Sequence, residues 1–300
     1  MKTKLNGSGL DNMMPKTLCC YYSGKKFPSI SVTGKKCALN CKHCEHHYLK
    51  HMIPAETPEK LLDVCLKLER DGANGILISG GCDSNGKVPL ENFYKTLKKI
   101  KKETNLLINV HTGLVDEADA NALSDTNIDA VSVDVVGDTD TIREIYGLKK
   151  TKEDYFETLL HLADSSIPTI APHICIGLHN GEIRGEIEAL KNIKKINPPV
   201  LIINSLISKN IKKTKEPLMK DITRILSIAR GMLPETHLVL GCMRSRKNLE
   251  VEFSALEIGI DGIVLPSKKT IEKALESGYT IKKVETCCGI MNDKSYTPCK

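Results

Sequence analysis

The stretch DGANGILISG, residues 71–80, decides the fold. Asp71-Gly72 closes a helix, Ala73-Asn74 makes a turn, and Gly75–Ser79 is a short apolar run of the kind that forms a strand covered on both faces. The same helix end, turn and strand recur at 126–135, TNIDAVSVDV, and at 258–266, IGIDGIVLP. Working outward gives eight such runs: Ser29–Thr33, Gly75–Ser79, Leu106–His111, Ala130–Val136, Thr169–Ile176, Val200–Leu206, His237–Cys242 and Gly262–Leu265. Amphipathic stretches separate them. Pro58–Arg70 carries Leu61, Leu62, Cys65, Leu66 and Leu68 on one stripe and has proline in its first turn. Helices are expected likewise at 90–102, 116–123, 152–163, 182–196, 217–231, 247–258 and 268–277. Repeated βα units make a parallel sheet, and eight of them predict a (β/α)8 TIM-type barrel, or a partial barrel of six or seven strands. The expected organisation is an N-terminal extension over 1–28, the barrel over 29–280 and a C-terminal tail over 281–300. Both extensions bear cysteines. In such a barrel the chemistry sits on loops that follow the C-terminal ends of strands.

The rest of the composition narrows the function classes. No apolar run approaches the roughly 18–20 residues that span a bilayer, and residues 1–15 are polar, without a secretory signal, so the expected location is the cytoplasm. The net charge of +6 comes from scattered lysines, often paired as at Lys98-Lys99 and Lys212-Lys213. No aromatic residues interleave with them as a nucleic-acid groove requires, so neither nucleic acid nor membrane is an expected partner.

Twelve cysteines say more. In a cytosolic chain, clustered cysteines point to metal or redox chemistry rather than to disulfides. They fall as Cys19-Cys20, then Cys37, Cys41 and Cys44, then Cys287, Cys288 and Cys299, with Cys65, Cys82, Cys175 and Cys242 single. The segment SISVTGKKCALNCKHC, 29–44, places Cys37-x-x-x-Cys41-x-x-Cys44 in the loop after the first expected strand. Three thiolates this close can hold three irons of a cubane and leave a fourth open. A zinc site would need a fourth ligand, which His43, His46 or His47 could supply.

This motif, in this position, resembles that of the radical S-adenosylmethionine (SAM) superfamily. The resemblance implies that Cys37, Cys41 and Cys44 bind a [4Fe–4S] cluster whose open iron takes the amino and carboxylate groups of SAM. One-electron reduction then produces a 5′-deoxyadenosyl radical. His43 stands where an aromatic side chain packs near the adenine. In ISGGCDSNG, 78–86, Gly80-Gly81 matches the glycine motif whose backbone receives the methionine amino group; the usual acidic residue is replaced by Cys82, with Asp83 next. Asp134 sits where a polar residue meets the ribose or carboxylate. Asn109 and His111, two apart on one strand, face the same side and could reach SAM or substrate, as could His173. The segment around His173 resembles the adenine-binding motif only loosely, with His173 and Asn180 in place of Gly and Glu.

The tail ETCCGIMNDKSYTPC, 285–299, could serve an auxiliary cluster through Cys287, Cys288 and Cys299, with Cys19, Cys20, Cys242, Ser295 or substrate as fourth ligand. Alternatively these cysteines only pack. A second arrangement uses Cys82, Cys175 and Cys242 with Arg244, after the strand-borne cluster of biotin synthase. Cys65, on an apolar helix face, belongs to the core. The stretches FPSISVTGKKCALNCKHC, SVDVVGD and LGCMR together resemble biotin-synthase-like radical SAM proteins, and among these one subunit of the two-protein, archaeal-type lipoyl synthase. That resemblance implies sulfur insertion into an octanoyl group carried on a lipoyl domain or glycine cleavage H protein. It also implies a second radical SAM subunit and an electron donor such as ferredoxin. The alternatives are a radical SAM reaction without sulfur insertion, such as cofactor maturation or rearrangement, and a non-catalytic iron–sulfur or zinc-binding protein.

Overall fold

Alternation along each strand sorts the molecule into an outer and an inner core. The computed structural model describes residues 16–207, 215–246 and 248–291. Its strands are β1 (Thr17–Tyr21), β2 (Ser29–Ser31), β3 (Ile53–Pro54), β4 (Gly75–Ser79), β5 (Leu107–His111), β6 (Ala130–Asp134), β7 (Ile170–Ile176), β8 (Val200–Ser205), β9 (His237–Leu240), β10 (Gly262–Val264) and β11 (Thr280–Val284). They form one sheet in the order β11-β1-β10-β9-β8-β7-β6-β5-β4-β2-β3. Every described pairing is parallel. The sheet curls without closing its ladder, so it is the partial form of the expected barrel.

Outward residues such as Ile76, Ile78, Ile108, Val131, Ile174, Leu201 and Leu238 join the large core under the helices. Inward residues Cys19, Tyr21, Ala171, Val200, Ile202 and Val239 form a second core inside the curl. The helices are α1 (Pro58–Arg70), α2 (Tyr94–Glu103), α3 (Glu117–Ser124), α4 (Thr139–Thr141), α5 (Lys152–Ala163), α6 (Glu186–Ile196), α7 (Met219–Met232), α8 (Glu250–Ile258) and α9 (Lys268–Glu276). Their starts follow local chemistry. Thr57 caps α1 by accepting the Lys60 amide at 3.2 Å, with Pro58 next, and Asp116 with Asp119 forms a capping box on α3. Helix α6 begins at Glu186 rather than at Glu182, because Gly185 takes a left-handed φ of 97° that interrupts the helix. Cys65 lies in the outer core, as its stripe implies.

The boundaries of the barrel differ from the sequence expectation. Thr17–Tyr21, assigned to an extension, is strand β1, hydrogen-bonded between β10 and β11. Strand β11 likewise carries the sheet past residue 280, into the tail. Strand β3, two residues at one edge, leaves no periodicity to read, and β1 and β11 lie in the segments assigned to the extension and the tail. The open side is spanned by chain instead of ladder: Asn74 Nδ2 donates to the Glu285 carbonyl at 3.3 Å, and Phe27, Ala130 and Ile290 pack together there.

Inside the curl, His237 Nε2 lies 3.0 Å from the Tyr21 hydroxyl. Burial lowers its pKa to about 4. An unfolded chain protonates this histidine near its ordinary value of about 6.5, whereas the fold resists until about pH 4. Stability from this group is therefore full above the upper value and declines as pH falls toward the lower, by about 3 kcal/mol at most. His237→Gln, which keeps a partner for Tyr21, is expected to lose less stability between pH 7 and pH 5 than wild type in urea unfolding. Equal losses would exclude this role for His237.

Candidate active site at the mouth of the half-barrel

The loop after β2 is folded onto the loop after β4. Gly81 N–H donates to Thr33 Oγ1 at 2.7 Å, and Ala38 N–H donates to the Cys82 carbonyl at 2.8 Å. A Cβ on Gly81 would lie 2.1 Å from the Lys36 carbonyl oxygen and 2.5 Å from Cys37 Cβ. Glycine at 81 is thus required to seat Cys37. Gly81→Ala is expected to destabilise the fold by about 3 kcal/mol and to lower the iron retained after anaerobic reconstitution; wild-type iron content would contradict this account.

Cys37, Cys41 and Cys44 share an apolar bed with Leu39, Val136, Ile142, Ile145 and Leu178, which Cys82 and Cys175 also join. The turn is tight: the Cys44 and Glu45 amides both donate to the Cys41 carbonyl, at 3.1 and 3.0 Å. Glu45 and His46 follow at φ 44° and 60°, two successive non-glycine residues in the left-handed region. Such strain persists only where surroundings impose it. Here His46 Nε2 closes on the Leu39 carbonyl at 2.6 Å. The Cys41 thiol donates to the Tyr146 carbonyl at 3.8 Å, and Lys42 N–H donates to the Ile145 carbonyl at 2.8 Å. Both carbonyls belong to a π-turn, Ile142–Tyr146, that continues α4. Insertions of this kind recur at functional sites.

Electrostatics single out one thiol. Cys44 is lowered to about 6, first by its hydrogen bond from Cys41 and then by the His46 backbone. Cys41 is raised by the same bond and by burial. Cys82, pushed up to about 12 by burial, also feels Cys37, Asp134 and Cys44. The His43 ring meets Tyr146 at a tilt of 59°, centroids 4.8 Å apart. Burial lowers its pKa to about 4, leaving it neutral, and its buried Nδ1 has no hydrogen-bond partner among the described residues.

Beside these cysteines stand three polar groups on neighbouring strands. Asp134 and His173 are direct partners across β6 and β7. His111 Nε2 is 3.8 Å from Asp134 Oδ1, and the His111 and His173 rings lie 5.7 Å apart. Burial, then His111, lowers His173 to about 4. A cleft of 480 Å³ opens against Cys37, lined by Thr33, Lys36, Glu56, Gly81, Cys82 and Asp83. Asp83 is already engaged, its Oδ1 accepting from the Asn85 and Lys87 amides.

Asn109 sits apart from this group. It is fully buried one inward position below His111, bonded to Ser132 Oγ at 2.9 Å and to Cys287 Sγ at 3.3 Å. The tail thus enters the curl: Gly289 lies against Asn109, Ser132 and Ala171, and Cys288 packs with Cys19, Val239 and Val264. Cys287 is lowered to about 7, first by Cys288 and, less strongly, by Asn109. Cys242 is exposed, and burial of its thiol raises its pKa. Cys299 and Ser295 lie outside the described residues.

Two sequence candidates are directed elsewhere. Cys20 faces the outer core. Arg244 is buried in an ion pair with Glu252, Nη2 to Oε1 2.6 Å, and so is not a barrel-lining ligand beside Cys82 and Cys175. Cys19 is disulfide-bonded rather than free. The residues that sequence reasoning missed are Thr33, Lys36, Glu56 and Tyr146. Only Lys36, next to the first cysteine, carried a signal, whereas a π-turn leaves none.

Among the described residues, no three His, Cys, Asp or Glu side chains converge on one point as ligands of a single ion do. Thiolates of a cubane, each on its own iron, need not. The sulfur-only donor set, its apolar bed and the neutral His43 beside it fit such a cluster.

A parallel half-barrel with clustered thiols at the C-terminal ends of its strands defines an α/β-barrel protein of iron–sulfur type. The sequence matches the Radical SAM superfamily over residues 31–193, more than half of the chain, and the protein belongs to that superfamily. Its cofactors are accordingly a [4Fe–4S] cluster and SAM. The chain is similar to the biotin synthase of Campylobacter hominis, 24% identical over 287 residues, covering 89% of this chain and 83% of that one. It is also similar to the biotin synthase of Prochlorococcus marinus, 23% identical over 246 residues, covering 78% and 71%. Among solved structures, HydG, a maturase of the [FeFe]-hydrogenase, superposes with a TM-score of 0.63 at 17% identity, covering 89% of this chain and 64% of HydG. Methylornithine synthase (PylB) superposes with 0.60 at 14% identity, covering 89% and 84%. Among the described residues no helix is long and apolar enough to cross a membrane.

Proposed function

We propose that this radical SAM enzyme inserts sulfur into an octanoyl group held on a lysine of a carrier protein, as one subunit of a two-protein lipoyl synthase. The observation that carries the reading is Cys287 Sγ 3.3 Å from Asn109, inside the barrel and one layer below His111. Cys287 and Cys288 lie within the same half-barrel as Cys37, Cys41 and Cys44. Sulfur insertion needs a donor beside the radical, and an auxiliary cluster on Cys287 and Cys288 supplies one.

Cys37, Cys41 and Cys44 hold the first cluster, which supplies reductive cleavage of SAM when bound. The cleft beside Cys37 takes the aminoacyl end of SAM. Lys36 lines it beside the carboxylate, and Gly80 and Gly81 bring backbone close to the amino group. His43, neutral and braced on Tyr146, flanks the adenine, and Asp134 takes the ribose hydroxyls. His111 and His173 border the space where substrate meets the radical. The partners are a lipoyl domain or H protein bearing the octanoyl group, a second radical SAM subunit and a ferredoxin-type reductant, in the cytoplasm. The likeness to biotin synthases supports the sulfur-inserting class.

The test is iron and sulfide analysis of the anaerobically reconstituted chain, with an octanoyl-lysyl peptide assay in the presence of the partner subunit. About eight irons per chain and a thiolated peptide are expected. About four irons, with 5′-deoxyadenosine formed and no sulfur transferred, would instead place the chain among radical SAM enzymes of rearrangement or maturation.

A further inference from the structure

Leu265 ends β10 in a conformation its sequence opposes. Its φ is +50°, in the left-handed region that leucine seldom occupies. Pro266 follows, and proline steers the preceding residue toward extended backbone. The residue is nonetheless 46% exposed, so it is not a core side chain whose full burial offsets the strain.

Considerable structure holds it there. The Leu265 N–H donates to the Tyr21 carbonyl at 2.9 Å. Arg246 Nη1 donates to the Leu265 and Val264 carbonyls at 2.6 and 3.1 Å, and its Nη2 donates to the Cys242 carbonyl at 3.2 Å. Beneath this clamp, Glu252 is buried with Arg244 and accepts from the Ser267 amide at 3.0 Å and from the Thr270 hydroxyl. A buried ion pair is a costly way to shape a turn, and enforced strain of this kind clusters where ligands are gripped.

Position narrows the role. Five large hydrophobic side chains are exposed among the described residues, and Leu160 and Leu275 lie on helices α5 and α9. The other three, Tyr48, Leu218 and Leu265, stand at the mouth: after the cysteine loop, at the head of α7 and at the end of β10. Arg246 ties the Leu265 carbonyl to that of Cys242, at the end of the neighbouring strand β9.

From this geometry we propose that Leu265 is a specificity-determining residue whose side chain contacts the aliphatic chain of the substrate at the barrel mouth, beside Cys242. The inference rests on the acyl-chain reading above. It explains both the exposure and the clamp, because an apolar contact for a flexible chain must be present before substrate arrives.

The test compares Leu265→Gly and Leu265→Met with wild type in the full chain plus partner subunit. The probes are butanoyl-, octanoyl- and dodecanoyl-lysyl peptides, with urea unfolding run alongside. Leu265→Gly removes the apolar contact and accepts positive φ freely. Its urea midpoint is expected to hold or rise while KM for the octanoyl peptide rises about tenfold and preference among chain lengths collapses; Leu265→Met should restore the preference. Wild-type selectivity in Leu265→Gly, or a lower urea midpoint in both variants, would overturn the inference and leave the acyl reading intact. A wild type that thiolates no acyl-lysyl peptide would overturn both.

Discussion

Cys41→Ala is expected to reduce SAM cleavage to background, at least ~100-fold and beyond the 10–100-fold typical of losing an outer-shell partner of a metal. Cys41 is the most enclosed of the three mouth thiols, buried against the π-turn with its thiol on the Tyr146 carbonyl. Its removal takes away one cluster ligand. It also removes the thiol next to Cys44, the neighbour that most lowers the pKa of that thiol. Alanine is smaller by one sulfur and sits in a loop, so the fold should survive with a loss of about 1 kcal/mol. Cys65→Ala is the matched control. Its thiol lies in the outer core under α1, and its loss should cost similar stability while sparing 5′-deoxyadenosine formation. The measurement is 5′-deoxyadenosine from SAM and dithionite after anaerobic reconstitution, together with iron content. Undiminished formation in Cys41→Ala would remove Cys41 from the cluster.

The alternation of short strands and helices made the central eight strands legible, because each of those runs is apolar on both faces. Gly75–Ser79 is an instance: Ile76 and Ile78 meet the helices while Gly75 and Leu77 face inward beside Phe27. Two other strands were illegible for a physical reason. Two residues at Ile53–Pro54 have no period, and Thr17–Tyr21 reads as cysteine-bearing coil until β10 and β11 pair with it on either side. The site divides in the same way. Spacing exposed Cys37, Cys41 and Cys44, since three thiolates within eight residues must lie close. Contacts made over long separations were hidden: nothing near Asn109 announces that Cys287, 178 residues on, will lie 3.3 Å from it. Arg244 misled because "LGCMR" places it next to Cys242, while its buried partner, Glu252, sits in α8 and turns it outward. At Cys82 the usual acidic residue is replaced by a thiol that burial pushes up to about 12, and the carboxylate that lines the same cleft, Glu56, is paired with Lys60.

Cys288→Ala separates the two groups of thiols. Cys288 is buried with Cys19 and Val239 inside the curl, well removed from the mouth loop in sequence and without a described contact to it. Its hydrogen bond is the first cause of the low pKa of Cys287, and alanine at 288 deletes one of the two described tail thiols. An auxiliary cluster that depends on this pair would lose a ligand. Iron should fall from about eight to about four per chain, sulfur transfer to an octanoyl-lysyl peptide should cease, and 5′-deoxyadenosine should still form, uncoupled from product. Asn109→Asp provides an internal check on the same contact: a carboxylate 3.3 Å from Cys287 Sγ opposes the thiolate that the amide donor favours, and should weaken iron retention without touching the mouth cysteines. Wild-type iron and sulfide in Cys288→Ala would remove the tail from the cluster and, with it, the internal source of sulfur on which the assigned reaction depends.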